Sequence, residues 1–260
     1  MATLDTQRIA LYLPPSHSGG GLDQDEEWCE IEVEGERRRI RLHDYAAIFD
    51  VPGLYEQLFS EKLDCDSPEI VCQLLAAELI AGDIDPGTLK ALDFGAGNGM
   101  VGEQLAAVGI ESLVGLDLLT EARDAALRDR PGLYEDYYAG DVPDLAPGDR
   151  RELEGHDCNA MTCVAALGFG DIPPLAFAEA FNLIASPGWL AFNLRDRFVD
   201  DDDPAGFGAF ITRMFDDEVL EEQARVTYTH RVSVAGEPLE YSAIVACKRD
   251  DVPLDWAQPA

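Results

Sequence analysis

Alternation of apolar and polar residues is the first clear pattern along the chain. Residues Trp28 to Leu42 alternate in this way around a Glu34-Gly35-Glu36 turn, which predicts a β-hairpin. From Asp44 to about Phe59 the apolar residues change to a helical spacing. Ser67-Pro68-Glu69 then predicts the start of another helix, because serine is a good N-cap and proline suits the first helical position.

Short apolar strands alternate with helices through the rest of the chain. This alternation predicts an α/β fold with a seven-stranded, mostly parallel sheet and helices on both faces. The last two strands follow each other across Ala235-Gly236-Glu237, so we expect the sheet to end in an antiparallel hairpin. The predicted strands are 89–94, 112–116, 137–140, 160–165, 189–194, 225–233 and 240–248. The predicted helices between them are 101–108, 121–128, 175–184 and 207–220.

These patterns divide the chain into three parts. Residues 1–85 are expected to form a leader, the hairpin and a helical lid, and Pro14-Pro15 indicates little regular structure within 1–27. Residues 86–250 are expected to form the α/β domain, and residues 251–260 a tail. With 260 residues in all, the chain is long enough for one domain of this kind and an extension.

The charge balance is strongly acidic, with 51 acidic and 19 basic residues and a formal net charge of −32. Such a field repels a nucleic-acid backbone, so no nucleic-acid partner is expected. The densest basic run, Arg37-Arg38-Arg39, lies opposite glutamates of the predicted hairpin, which indicates charge pairing rather than a phosphate site. Many carboxylates with few lysines are typical of a protein that works in concentrated salt.

Neither a membrane nor a metal is expected from the sequence. No window approaches the roughly 20 apolar residues that span a bilayer. Residues 1–5 lack the basic and apolar regions of a secretory signal, so a cytoplasmic location is expected. The six cysteines include no C-x-x-C spacing, which argues against a zinc site and suits a reducing compartment.

A glycine-rich loop is predicted where the first strand of the α/β domain meets a helix. The segment Asp93-Phe94-Gly95-Ala96-Gly97-Asn98-Gly99 can be aligned in two registers. Gly97-x-Gly99-x-x-Gly102 matches the dinucleotide fingerprint, whereas Asp93-x-Gly95-x-Gly97-x-Gly99 resembles the D-x-G-x-G-x-G loop of class I methyltransferases. A carboxylate at Asp93 would repel a pyrophosphate. It suits S-adenosylmethionine, which carries a sulfonium and an ammonium but no phosphate.

Further markers extend this resemblance. Asp117 ends the second strand, Gly140-Asp141-Val142 follows the third, and Ser186-Pro187-Gly188 resembles the turn into the fifth strand of these enzymes. Over residues 88–248 the chain therefore resembles the class I, Rossmann-like S-adenosylmethionine-dependent methyltransferases. The segment Asp44 to Asp50 is also similar to the lid of uncharacterised bacterial and methyltransferase-like members that act on small molecules.

The resemblance implies S-adenosylmethionine as the cofactor of residues 86–250. It implies that Asp93 sets the loop and holds the amino end of the cofactor, and that the glycine loop lines its methionine part. The ribose, the adenine and the amino group would then meet residues at the ends of the next three strands, and a lid tyrosine would cover the cofactor. The residues so assigned are Asp93, Gly95, Ala96, Gly97, Asn98, Gly99, Asp117, Leu118, Asp141, Val142, Ala165 and Tyr45.

The acceptor and the catalytic group are less defined. The resemblance implies a small-molecule acceptor, and the chain lacks the (D/N)-P-P-(Y/F) motif of adenine and glutamine amino-methylation. No catalytic residue is assigned, because His17, His43, His156 and His230 are each more typical of packed or surface histidines. The oligomeric state is not predicted either.

Two alternatives remain open at this point. One is a non-catalytic S-adenosylmethionine-binding module with a blocked acceptor pocket. The other is an NAD-dependent oxidoreductase that uses the Gly97-to-Gly102 register. Against the oxidoreductase are Asp93 and the absence of a Tyr-x-x-x-Lys pair in the sequence.

The acidic composition generates the first testable prediction. Salt screens repulsion among like charges, so the folded state should become more stable between low and molar potassium chloride. The midpoint of thermal unfolding, followed by circular dichroism, measures the effect. Equal stability at both concentrations would contradict the expectation of a protein adapted to salt.

Overall fold

A seven-stranded sheet forms the centre of the protein. The computed structural model describes residues 8–14, 22, 24–33, 35–167, 171–195 and 206–257. Its strands are β4 (Lys90–Phe94), β5 (Ser112–Asp117), β6 (Asp136–Ala139), β7 (Ala160–Cys163), β8 (Gly188–Arg195), β9 (Leu220–Val232) and β10 (Pro238–Lys248). They have the order β6-β5-β4-β7-β8-β10-β9 in the sheet, and β10 runs antiparallel to both of its neighbours. The predicted fold class is confirmed.

Helices cover both faces of this sheet and enclose two apolar cores. One core includes Phe177, Phe181 and Phe192, and the other includes Leu75, Leu105 and Val245. Among the described residues, no helix is both long enough and apolar enough to cross a membrane. The α-helices are α1 (Tyr45–Phe49), α2 (Ser67–Ala81), α3 (Met100–Val108), α4 (Thr120–Asp129), α5 (Pro147–Gly155), α6 (Pro174–Asn182) and α7 (Phe207–Asp216).

Shorter helical elements complete the chain. A π-helix, Glu56–Lys62, follows α1. Short 3-10 turns are found at Gln24–Glu26, Pro86–Thr88, Val142–Asp144 and Leu254–Ala257. The last of these turns lies in the predicted tail, where Ala257 is buried and Trp256 packs against the first apolar core.

The strand order reverses next to β4. Asp93 of β4 is in register with Gly115 of β5 on one side and with Thr162 of β7 on the other. The chain leaves the two neighbouring parallel strands β4 and β7 in opposite directions, and this opens a crevice at their carboxyl ends. The predicted glycine loop begins at this crevice.

The N-terminal extension forms a second, three-stranded sheet with the order β1-β2-β3. Its strands are β1 (Ala10–Tyr12), β2 (Trp28–Val33) and β3 (Glu36–Arg41), so the predicted hairpin is confirmed. Strand β1 lies inside the leader that was expected to lack regular structure. Leu11 packs against the apolar core of the extension, and this contact accounts for the strand.

Two helices differ from the sequence prediction. Helix α2 has Asp66, not Ser67, at its N-cap position, because the Ser67 hydroxyl instead hydrogen-bonds with Tyr228 and His230. Helix α5 was not predicted. Leu153 is its one buried residue, so it has no apolar stripe that a periodicity could show.

A buried ion pair joins the extension to the large sheet. Glu27 precedes β2, and its Oε2 accepts a hydrogen bond from Nη2 of Arg231 in β9 at 2.6 Å. The other oxygen of Glu27 accepts the backbone N–H of Val234, also at 2.6 Å. Both charged side chains are almost completely enclosed, at 3% and 2% exposure.

Removal of Glu27 should strongly destabilise the protein. The substitution Glu27→Ala leaves the buried Arg231 charge without its partner, which typically costs about 3–5 kcal/mol in the free energy of unfolding. Urea unfolding measures the change. The matched control is Glu30→Ala, which removes a glutamate paired with the exposed Arg39 and should cost less than about 1 kcal/mol. Equal effects of the two substitutions would contradict the role of the buried pair.

Candidate active site

The glycine loop leaves β4 in a conformation that side chains rarely adopt. Gly95 has φ +74° and Gly97 has φ +54°, both in the left-handed region. A Cβ at Gly95 would lie 2.7 Å from Cβ of Ala166, so the loop also passes too close to the segment after β7 for a side chain. Gly97 donates its N–H to Oδ2 of Asp117 at 2.9 Å, and this bond fixes the loop against the end of β5.

Asp93 lies in β4, two residues before Gly95 of the loop. Its side chain is 0% exposed and accepts hydrogen bonds from the Tyr134 hydroxyl at 2.7 Å and from Oγ1 of Thr162 at 2.9 Å. Burial raises the pKa of Asp93 to about 6, although both hydrogen bonds oppose the shift. The role of Asp93 in setting the loop stays a prediction. This geometry gives the carboxylate no direct contact with the cavity described next.

A cavity of about 460 Å³ opens above the loop at the carboxyl ends of the strands. This volume falls within the range of small-molecule sites. Asp117 lines the cavity from the end of β5, and Asp141 and Val142 line it from the segment after β6. The predicted residues that line the cavity are Tyr45, Gly95, Gly97, Asp117, Leu118, Asp141, Val142 and Ala165.

Four predicted residues do not line this cavity. Besides Asp93, they are Ala96, Asn98 and Gly99; Ala96 and Asn98 instead border a cavity of about 30 Å³ behind the loop. The amide of Asn98 donates to Oε1 of Glu56 at 2.7 Å, so it links the loop to the π-helix. A cofactor contact through these residues stays a prediction.

Aromatic residues of the extension, here termed the lid, line the cavity. Tyr45 and Phe49 lie on α1, and Tyr55 precedes the π-helix. The Phe49 and Tyr55 rings stack with centroids 5.1 Å apart. Two arginines at the end of α4 hold the lid: Arg128 donates to the Phe49 carbonyl at 3.0 Å, and Arg130 to Glu56 at 2.9 Å.

Ala165 depends on a contact that the sequence did not indicate. It follows β7 with φ +57°, an unusual value for a residue other than glycine. Its N–H donates to Oδ1 of Asn193 in β8 at 2.7 Å, and this bond holds the backbone in place. Asn193 is completely buried and is distant from Ala165 in sequence. No local motif could have identified it.

The charge of the cavity has one sign. Asp44, Asp117, Asp141 and Asp171 all belong to its lining, and no lysine or arginine is found among the described lining residues. Burial raises the pKa of Asp117, while the N–H groups of Leu119 and Gly97 oppose this shift. The cavity therefore favours a cation over a phosphate.

The histidines lie in different surroundings. His43 lines the cavity and opposes the rise that burial causes in the pKa of Asp171. His156 is far along the sheet and lies 3.2 Å from the Tyr138 hydroxyl. His230 is buried and borders a second, smaller cavity. His17 lies outside the described residues.

Solved structures share this architecture, although no protein-family model and no curated protein matches the sequence. An S-adenosylmethionine-dependent methyltransferase from Clostridium acetobutylicum is 12% identical, with a TM-score of 0.51 over 76% of this chain and 97% of that chain. Magnesium protoporphyrin IX methyltransferase from Synechocystis, solved with bound S-adenosylmethionine, is 15% identical, with a TM-score of 0.47 over 70% of this chain and 79% of that one.

The similarity at these identities is one of fold. The chain has the Rossmann-like methyltransferase fold. The resemblance drawn from the glycine loop and its markers is thereby supported at the level of the fold, including the closing antiparallel hairpin.

The raised pKa of Asp93 predicts a pH dependence of stability. In the folded protein Asp93 keeps its proton up to about pH 6, whereas the unfolded chain releases it near pH 4. The folded state therefore loses stability as the pH rises through this window, by an amount on the order of 3 kcal/mol. Asp93→Asn cannot lose a proton there.

The measurement compares urea unfolding of the wild type and Asp93→Asn at several pH values. Their free energies of unfolding should be most similar near pH 4, and the wild type should fall relative to the variant toward pH 6. A difference that is independent of pH would mean that Asp93 titrates normally in the folded protein.

Proposed function

We propose that this protein is an S-adenosylmethionine-dependent methyltransferase that acts on a small-molecule acceptor. The observation that carries the proposal is the sign of charge in the cavity at the carboxyl ends of β4, β5 and β6. Its described lining contains four aspartates and neither lysine nor arginine. Such a lining attracts a sulfonium and an ammonium, and it repels the pyrophosphate of a dinucleotide.

The lining residues suit the parts of S-adenosylmethionine in order along the sheet. Asp117 would accept the ribose hydroxyls: its carboxylate already accepts N–H groups of Gly97 and Leu119, but a carboxylate has about four acceptor positions. Asp141 and Val142 would meet the adenine. The backbone of Gly95, Gly97 and Ala165 would face the methionine end.

The chain contributes to methyl transfer by position and by exclusion of water. Bound S-adenosylmethionine supplies an electrophilic methyl group on its sulfonium. Tyr45, Phe49 and Tyr55 close the cavity above that position, and a dry site strengthens electrostatic interactions and favours close approach of the reactants. His43 and Asp171 border the same cavity and interact electrostatically.

A small acceptor is favoured over a macromolecule. The lid leaves a cavity of about 460 Å³ for both cofactor and acceptor. The net charge of −32 also disfavours a nucleic acid. A non-catalytic S-adenosylmethionine-binding module remains the second candidate, and a cytoplasmic location stays a prediction.

Calorimetric titration with S-adenosylhomocysteine and, separately, with NADH tests the proposal. S-adenosylhomocysteine should bind with micromolar affinity, and NADH should not bind. Binding of NADH alone would favour the oxidoreductase alternative. Release of S-adenosylhomocysteine from S-adenosylmethionine with a panel of small acceptors would then separate the enzyme from the non-catalytic module.

The substitution Asp117→Ala tests the proposed contact between Asp117 and the ribose. Loss of the ribose hydrogen bonds should weaken S-adenosylhomocysteine binding by roughly 1–3 kcal/mol. Asp124→Ala is the matched control, because Asp124 is an exposed aspartate of α4 paired with Arg123 outside the cavity, and it should leave the affinity unchanged. Unchanged affinity in Asp117→Ala would remove the ribose assignment.

A further inference from the structure

A second, smaller cavity continues from the large one beneath the lid. It has a volume of about 30 Å³. Both cavities share His43, Tyr45, Tyr55, Ala165, Ala166 and Asp171, so they meet where the acceptor would face the cofactor. The far end of the smaller cavity is formed by Gln24, His230, Arg231 and Tyr241. The inference below rests on the proposed function, because it concerns the acceptor of that reaction.

A chain of hydrogen bonds assigns the proton of His230. Nδ2 of Asn193 donates to the Tyr228 hydroxyl at 2.8 Å. The Tyr228 hydroxyl lies 2.6 Å from Oγ of Ser67, and Oγ of Ser67 lies 2.6 Å from Nδ1 of His230. If Tyr228 donates to Ser67 and Ser67 donates to His230, every hydroxyl proton in the chain has an acceptor. Nδ1 of His230 then accepts, and the ring carries its proton on Nε2.

His230 therefore offers a hydrogen-bond donor to the smaller cavity. Burial, and then the charges of Arg231 and Arg195, lower the pKa of His230 to about 3, so the ring is neutral at physiological pH. In the part of the chain that the structure describes, Nε2 has no hydrogen-bond partner, and the residue lines the cavity. Its Nε2–H is the group that a ligand can meet.

Tyr241 supplies a second donor beside His230. Its ring packs on that of His230 with centroids 4.2 Å apart. The Tyr241 hydroxyl accepts a hydrogen bond from Nε2 of Gln24 at 3.1 Å. Because its oxygen is an acceptor in that bond, its own proton is available to a ligand.

The electrostatic surroundings of the smaller cavity differ from those of the larger one. Arg231 borders it, and both Arg231 and Arg195 favour the anionic form of the Tyr241 hydroxyl, although burial dominates and raises its pKa. Arg231 is paired with Glu27, and Asp171 is the one aspartate among the described lining residues of the smaller cavity, whereas four aspartates line the larger one. A ligand that spans both cavities would thus place a negative group among His230, Arg231 and Tyr241.

The volume limits the size of that group. A cavity of about 30 Å³ holds about two water molecules, since each needs at least about 10–15 Å³ on this scale. A carboxylate, with its two oxygens, suits this space, whereas an aromatic ring does not. We propose that the methyl acceptor carries a carboxylate, which binds in the smaller cavity through His230 and Tyr241 with Arg231 as the neighbouring cation.

Acetate and acetamide provide a matched pair of probes for this cavity. They have nearly the same size and shape, and acetate alone carries the negative charge. Line broadening of carbon-13-labelled acetate or acetamide, at constant ionic strength, detects weak binding to the protein saturated with S-adenosylhomocysteine. Acetate should bind at least about tenfold more tightly than acetamide, because hydrogen bonds to a charged group are the stronger ones.

Variants locate the bound acetate. Tyr241→Phe removes one donor and keeps the ring, so acetate should bind at least about tenfold more weakly. The matched control is Tyr138→Phe, which removes a tyrosine hydroxyl beside His156 outside the cavity and should leave acetate binding unchanged. Equal losses in the two variants would place acetate elsewhere and overturn the proposal.

If Tyr241→Phe does not fold, the comparison of acetate and acetamide binding to the wild type still tests the proposal. Equal affinity for acetate and acetamide, or no binding of either, would overturn the carboxylate site. Calorimetric binding of S-adenosylhomocysteine is measured first and tests the proposed function separately. The acetate titration is repeated without S-adenosylhomocysteine, so the smaller cavity can be judged even if that cofactor product does not bind.

Discussion

The reversal of strand order beside β4 is the constraint on which the rest of the structure depends. It opens the crevice into which the glycine loop projects. Asp93 holds the elements beside the crevice together. From its own strand β4, its side chain accepts hydrogen bonds from Thr162 of the neighbouring β7 and from Tyr134, which follows α4. A completely buried carboxylate is costly unless its oxygens are satisfied, so these two donors are part of the architecture of the crevice.

The N-terminal extension adds aromatic residues to the lining of this crevice. In a chain with 19 basic and 51 acidic residues, cations are scarce, and several of them hold the extension in place. Arg128 and Arg130, at the end of α4, bind the lid, and Arg231 of β9 binds Glu27 of the extension. The cofactor end itself has none among its described lining residues. These arginines thus hold the extension in place, and none of them lies among the described lining residues of the larger cavity.

The sequence predicted the elements that depend on short-range spacing, but it did not predict contacts between residues that are distant in the sequence. The parallel sheet, the hairpins and the loop after β4 follow from short-range spacing, and the structure confirms them. Helix α5 was not predicted, because Leu153 is the one buried residue of this helix and a single residue gives no apolar periodicity. Ser67 was predicted as an N-cap from its neighbours, but its hydroxyl bonds with residues more than 160 positions away in β9. The local sequence around Ser67 contains no information about such a contact.

Asn193 shows how the two cavities are connected. Its Oδ1 holds the backbone of Ala165, which faces the cofactor end, while its Nδ2 donates to Tyr228 and so begins the hydrogen-bond chain to His230. One buried amide therefore fixes both the backbone of Ala165 beside the larger cavity and the proton position of His230 beside the smaller one. Because a buried amide with satisfied oxygen and nitrogen has a single favourable orientation, the two sites cannot adjust independently. In the proposed reaction, this coupling would position an acceptor relative to the cofactor without requiring that either be held by a flexible surface residue.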